Sequence, residues 1–96
     1  MANIPVKVSI PSLLLGATGN EREVTVEGET LEGALRDLVE RYPLLKVHLY
    51  EEDGAVRTHV HLFYNDQNTQ WLESLEIPLE PGDTITVLQA VSGGSG

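Results

Sequence analysis

Between Thr30 and Pro43 the chain carries one amphipathic stripe, and that stripe limits what the rest can be. Leu31, Ala34, Leu35, Leu38, Val39 and Tyr42 fall at spacings of three and four, on one face of a helix. Thr30 stands where an N-cap is needed. Glu32 with Arg36 and Asp37 with Arg41 form i,i+4 charge pairs on the opposite side. Pro43 disfavours helical geometry at Tyr42 and stops the helix. Gly33, in the first turn, weakens the helix by roughly 1 kcal/mol relative to Ala. We read it as the mark of a close approach between helix and sheet. A helix apolar along one stripe has to lie against one flat apolar surface.

The flanking sequence supplies that surface. Val6, Val8 and Ile10 alternate with Lys7 and Ser9, a strand with one buried face that Pro11 ends. Gly16, Gly19 and Asn20 mark a turn into a second strand at Val24 and Val26, so the two suggest a hairpin. Residues 44–58 read as polar and turn-rich, with Asp53-Gly54 as a tight turn. Val60, Leu62 and Tyr64 alternate with His59, His61 and Phe63 in a third strand that Asn65-Asp66 ends. Trp71, Leu72, Leu75 and Ile77 lie in an irregular or short helical stretch. Glu80-Pro81-Gly82-Asp83 fits a type II turn, and Thr84 to Leu88 is the last strand, with Ile85 and Val87 inside.

One helix covers one face of one sheet, which makes a two-layer α+β domain over residues 1–89, followed by a short tail, 90–96. The sheet's other face is either wet or belongs to a partner. Phe63 and Leu88 fall on it, because their parity opposes the core residues of their strands. Scattered surface apolars are normal, so two such residues alone leave a docking patch and a bland surface both open.

Composition removes whole classes of function. Six basic residues against 15 acidic ones give a net charge of −9. That argues against binding nucleic acid, which needs a basic patch, and against docking on an anionic membrane. A protein partner with a basic surface fits better. There is no cysteine, so disulfides, thiolate metal sites and a cysteine nucleophile are excluded. The longest apolar stretch near the start, Leu13 to Leu15, is too short for a signal peptide or a membrane span, which makes the cytoplasm the default location. His59 and His61 share a strand face, but two ligands are too few for a metal and His48 is isolated. No G-x-S-x-G elbow and no glycine-rich phosphate loop occurs. We therefore expect no bound metal or cofactor, no ATP site and no enzyme activity of the chain's own.

The tail remains. Val91-Ser92-Gly93-Gly94 follows the last strand, and glycine without a side chain is slim enough to thread a narrow channel. From Ala90 to Gly94 the reach is at most ~18 Å when extended. A terminus without function and a tail offered to another protein's active site both fit these residues.

The tail does not stand alone. Pro78-Leu79, Gly82-Asp83, Ile85 and Val87, followed by Ala90-Val91-Ser92-Gly93-Gly94, resemble the end of the MoaD/ThiS family of sulfur carriers. Val8-Ser9-Ile10-Pro11, the stretch from Thr30-Leu31 to Leu38, and Tyr64-Asn65-Asp66 look similar too. The resemblance runs from about residue 4 to 94, and the opening and the Asn65-Asp66 turn look most like the carriers of cysteine biosynthesis. It implies a ubiquitin-like β-grasp fold, a mixed sheet of four to five strands on one main helix with a flexible Gly-Gly tail.

The resemblance also implies the chemistry. An activating enzyme of the ubiquitin-activating type uses its own ATP to adenylate the carboxylate of Gly94. A sulfur source converts the acyl-adenylate to a thiocarboxylate, which donates sulfide to a cysteine-synthase-like acceptor. Gly94 carries the reactive carbonyl, Val91, Ser92 and Gly93 thread the partner's channel, and Phe63 and Leu88 match the exposed patch on which such carriers dock. Sulfur then rides on the backbone, so a chain without cysteine qualifies. The family's mature chain ends at Gly-Gly, whereas here Ser95-Gly96 follows. Either a zinc peptidase trims a precursor, or the two residues are an expression remnant. The alternatives are the small subunit of molybdopterin synthase, bound to its large subunit, and a ubiquitin-like modifier joined to lysines.

Overall fold

The computed structural model of the chain describes residues 3–89. The strands are β1 (Ile4–Ser9), β2 (Glu23–Gly28), β3 (Val60–Tyr64), the two-residue β4 (Gln67–Asn68) and β5 (Thr84–Gln89). The helices are α1 (Leu31–Arg41) and α2 (Pro43–Leu49), with 3₁₀ turns at Ser12–Ala17 and Thr69–Trp71. The strands form one mixed sheet in the order β2-β1-β5-β3-β4. β5 is its centre, parallel to β1 and antiparallel to β3. The expected hairpin is the antiparallel β1–β2 pair, with Val6 opposite Val26 and Val8 opposite Val24.

The alternation read from the sequence is the alternation of burial. Val6, Val8, Val24, Val26, Val60, Leu62, Tyr64, Ile85 and Val87 are buried on one sheet face, and Leu31, Ala34, Leu35 and Leu38 of α1 complete the core with them. Each such side chain contributes roughly 1.5–3 kcal/mol by leaving water. Thr30 caps α1 as expected, its Oγ1 accepting the Gly33 N–H at 3.1 Å. Two further donors of the first turn bond to a crossing segment: Leu31 N–H to the Ile77 carbonyl and Glu32 N–H to that of Leu75.

Two expectations about this helical layer need correction. Residues 44–58 are not simply a polar turn region, because Pro43–Leu49 forms α2, with Leu45 and Leu49 buried. Pro43 ends α1 and opens α2 at once: proline disfavours helix at the residue before it but suits a first helical turn, where its missing N–H has no partner to lose. The remainder of the region fits the reading, with Gly54 at φ +92° in the Asp53-Gly54 turn.

The second correction concerns Gly33. A Cβ there would lie 3.5 Å from Thr30 Oγ1 and 3.7 Å from Gly28 Cα, which is ordinary contact. On Gly28, at the end of β2, a Cβ would lie 2.5 Å from the Ala34 nitrogen. Helix and sheet do approach closely at this point, but the glycine that makes room is the one on the sheet.

Candidate functional site

The site is built outward from the two ends of β5. At its start the Pro81-Gly82 turn takes the expected form, with Gly82 at φ +94° and Asp83 N–H donating to the Glu80 carbonyl at 3.1 Å. Asp83 then meets the end of β3. Its carboxylate accepts hydrogen bonds from the Tyr64 hydroxyl at 2.5 Å, the Glu80 N–H at 2.9 Å and Asn65 Nδ2 at 3.3 Å. Asn65 sits at φ +54°, and its Oδ1 accepts the Thr84 N–H at 3.0 Å. Tyr64-Asn65 and Gly82-Asp83, far apart in sequence, are therefore one clamp that holds β3 and β5 in register.

The clamp shows in the titration of its members. Burial, then the hydrogen bond and charge of Asp83, push the Tyr64 hydroxyl up to about 12. Burial works against ionisation of Asp83, but the bonds from Tyr64, Glu80 and Asn65 outweigh it and hold the carboxyl below its ordinary value. These groups are used for structure.

At its other end β5, the central strand of the sheet, reaches Gln89, the last described residue, and residues 90–94 follow in sequence. Val91, Ser92, Gly93 and Gly94 lie outside the described residues, as does the proposed tail as a unit. The open sheet face beside Gln89 is described. His61 stands opposite Leu88 and Phe63 opposite Thr86 on the β3–β5 pair. Ser9 lies beyond Thr86 on β1, and Asn68 beyond Phe63 on β4. Phe63 and Leu88 are thus diagonal neighbours, a separation that a phenylalanine spans. Leu88 is 47% exposed and Phe63 is half-buried.

The histidines are separated. His48 is on α2, His59 precedes β3 and is not within it, and only His61 is on the open face, with Nδ1 3.4 Å from Asn68 Nδ2. The shared strand face expected for His59 and His61 is therefore corrected. Among the described residues no three His, Asp or Glu side chains are grouped to hold a metal.

One surface residue escaped the sequence reading. The sequence places Trp71 in one stretch with Leu72, Leu75 and Ile77; those three are partly buried against the core, yet Trp71 is 76% exposed. Asn68 Oδ1 accepts the Gln70 N–H at 3.0 Å, opens the short 3₁₀ turn and so aims Trp71 outward beside Phe63. The signal was there: a single tryptophan directly after the polar run from Asn65 to Gln70.

Residues 14–94 match the ThiS family. The chain belongs to that family. The sulfur carrier protein CysO of Mycobacterium tuberculosis (strain ATCC 25618 / H37Rv) is 32% identical over 91 residues, which span 93% of this chain and 98% of that protein. The Amycolatopsis orientalis BexX/CysO complex contains a chain that superposes with a TM-score of 0.78 at 34% identity, over 93% of this chain and 99% of that one. Small archaeal modifier protein 1 of Methanosarcina acetivorans superposes equally well, TM-score 0.78 at 31% identity, over 98% and 100%. This ThiS-family chain has the ubiquitin-like β-grasp fold of these neighbours. None of its described helices is long and apolar enough to cross a membrane.

Proposed function

We propose that the chain is a sulfur carrier whose working atom is the Gly94 carbonyl carbon. The observation that carries this reading is the family match running through residue 94, which includes both glycines of the tail, together with likeness to CysO over nearly the whole chain. Residues 90–94 follow the central strand β5 in sequence, and the open face beside its end bears Phe63 and Leu88. A partner seated on that face would have the tail within reach of its own active site.

The steps balance without a side-chain nucleophile. Water first cleaves the Gly94–Ser95 peptide bond, in a step suited to a zinc peptidase, and frees the Gly94 carboxylate. An adenylating enzyme joins one carboxylate oxygen to the α-phosphorus of ATP, and pyrophosphate leaves. Sulfide from a donor attacks the acyl carbon, a C–S bond forms, and AMP leaves with the oxygen. The thiocarboxylate sulfur then bonds to an electrophilic carbon of a cysteine-synthase-like acceptor, and water cleaves the acyl C–S bond, which leaves the sulfur on the acceptor and restores the Gly94 carboxylate. In this scheme the chain is the co-substrate and the partners are the enzymes.

The test is intact mass. A chain ending at Gly94, incubated with a ThiS-type adenylating enzyme, ATP and sulfide, is expected to gain the mass of an oxygen-to-sulfur exchange, while the chain ending at Gly96 gains nothing. No gain in the trimmed chain, under conditions that load CysO, overturns the reading. Gly94→Ala in the trimmed chain is expected to abolish loading with unfolding unchanged, because the residue follows the last core strand in sequence.

The likeness to a small archaeal modifier favours one second reading, in which the same activated carbonyl is joined to lysines. Ladders of higher mass on a denaturing gel, lost when the chain stops at Gly93, would support conjugation.

A further inference from the structure

Phe63, Asp66, Gln67, Asn68, Trp71 and Leu72 line a depression of about 400 Å³ on the flank of the open face. One wall is the Trp71 indole, the most exposed large apolar side chain among the described residues. Phe63 also lines it, so the hollow adjoins the face that bears Leu88. Asp66 is its one charged lining residue. The ion pairs among the described residues are Glu32–Arg36, Asp37–Arg41 and Glu51–Arg57, so Asp66 has no cationic partner.

An aromatic face beside an unpaired carboxylate selects a cation, and the chain's charge of −9 favours a basic partner surface. Between the two cationic side chains the shape decides. A guanidinium is planar and weakly hydrated, stacks on an indole, and offers paired donors to a carboxylate at its edge. An ammonium is a compact, strongly hydrated point charge that gains less from a flat wall. We propose that this hollow receives an arginine of the adenylating partner, stacked on Trp71 and paired with Asp66. The inference rests on the carrier reading for its partner but not for its chemistry. It makes Trp71 and Asp66 docking residues, with no part in the acyl transfer.

The chain holds a single tryptophan, so its fluorescence reports this hollow alone. Titration with a capped Gly-Arg-Gly peptide is expected to change that emission saturably. The matched Gly-Lys-Gly peptide should bind several-fold more weakly, and Asp66→Asn should weaken the arginine peptide about two- to fivefold. Equal response to both peptides, or none to either, overturns the proposal, whatever the chain's function.

The second arm uses the trimmed chain and the adenylating enzyme. Trp71→Leu and Asp66→Asn are each expected to raise KM for the carrier about two- to tenfold, with the loss overcome at saturating carrier. Val47→Ala, a change at another exposed apolar residue, on α2, is the control and should leave KM alone. An unchanged KM in both test variants, with loading intact, overturns the arginine docking and leaves the carrier reading standing. Absence of loading in the parent chain overturns the carrier reading, and the peptide titration then decides the hollow by itself.

Discussion

At the scale of single residues, the most constrained position is Gly28. A methyl group there would meet the backbone of α1, not the end of a flexible side chain, so helix or strand has to move. Gly28→Ala is therefore expected to destabilise by about 3 kcal/mol, as overpacking of a fixed interface does, measurable as a lower denaturant midpoint. Gly33→Ala meets only ordinary contacts, and alanine favours helix by roughly 1 kcal/mol. It is expected to be neutral or stabilising. The pair separates two explanations that are identical in sequence, since a glycine at either position could relieve the same crowding.

Asp83 belongs to this scale as well. Its carboxyl is held below its ordinary value in the folded chain, so the stability it contributes is fully present above the unfolded value and is lost as pH falls through the folded one. Tyr64 runs the other way: its hydroxyl, raised to about 12, contributes below pH 10 and loses that contribution as pH climbs toward 12. Asp83→Asn is expected to flatten the acid limb of a thermal-melting profile below about pH 4. At pH 7 Asp83→Ala should cost about 1–2 kcal/mol through its lost charged hydrogen bonds. A full acid limb in Asp83→Asn would assign the acid sensitivity to other carboxylates.

At the scale of elements, what could be read from the sequence follows the length of each repeat. The five apolar positions of α1, with Tyr42 at its C-cap, span three turns, and the parity of β1, β2, β3 and β5 is clean because each has one dry face. α2 shows no such pattern. Leu45 and Leu49 are buried, but Leu44 and Val47 are exposed on the same two turns, so apolar residues surround the helix and erase its period. The legible sign was Pro43, which stops one helix and suits the start of another. Leu45→Ala and Leu49→Ala are expected to cost about 2–5 kcal/mol each, whereas Leu44→Ala and Val47→Ala should cost little. Comparable losses at all four would mean that this segment packs as an irregular loop. The β2 edge was likewise invisible in sequence. Asp37 Oδ2 accepts the Glu27 N–H at 2.8 Å while pairing with Arg41 at the same distance, so a helix side chain occupies a donor that an unpaired strand edge would offer to another chain.

At the scale of the whole molecule, the candidate site divides into a part sequence could place and a part it could not. Strand parity alone set Phe63 and Leu88 on one open face, and the register then makes them neighbours. Trp71 could not be placed this way, because it follows a two-residue strand and belongs to no repeat. On the proposed reading the site offers a partner two kinds of recognition, an apolar patch and a surface with a net charge of −9. The two respond differently to salt. Charge-steered encounters are screened over about 10 Å at 0.1 M and about 3 Å at 1 M, while burial of Phe63 and Leu88 is not weakened by simple salts. Association of the trimmed chain with the adenylating enzyme proposed for it is expected to slow steeply across this range, with dissociation little changed. Leu88→Ala should do the opposite, speeding dissociation at every salt concentration. An association rate independent of salt would show that the open face is found without electrostatic guidance, and that the acidic surface serves only to keep the carrier in solution.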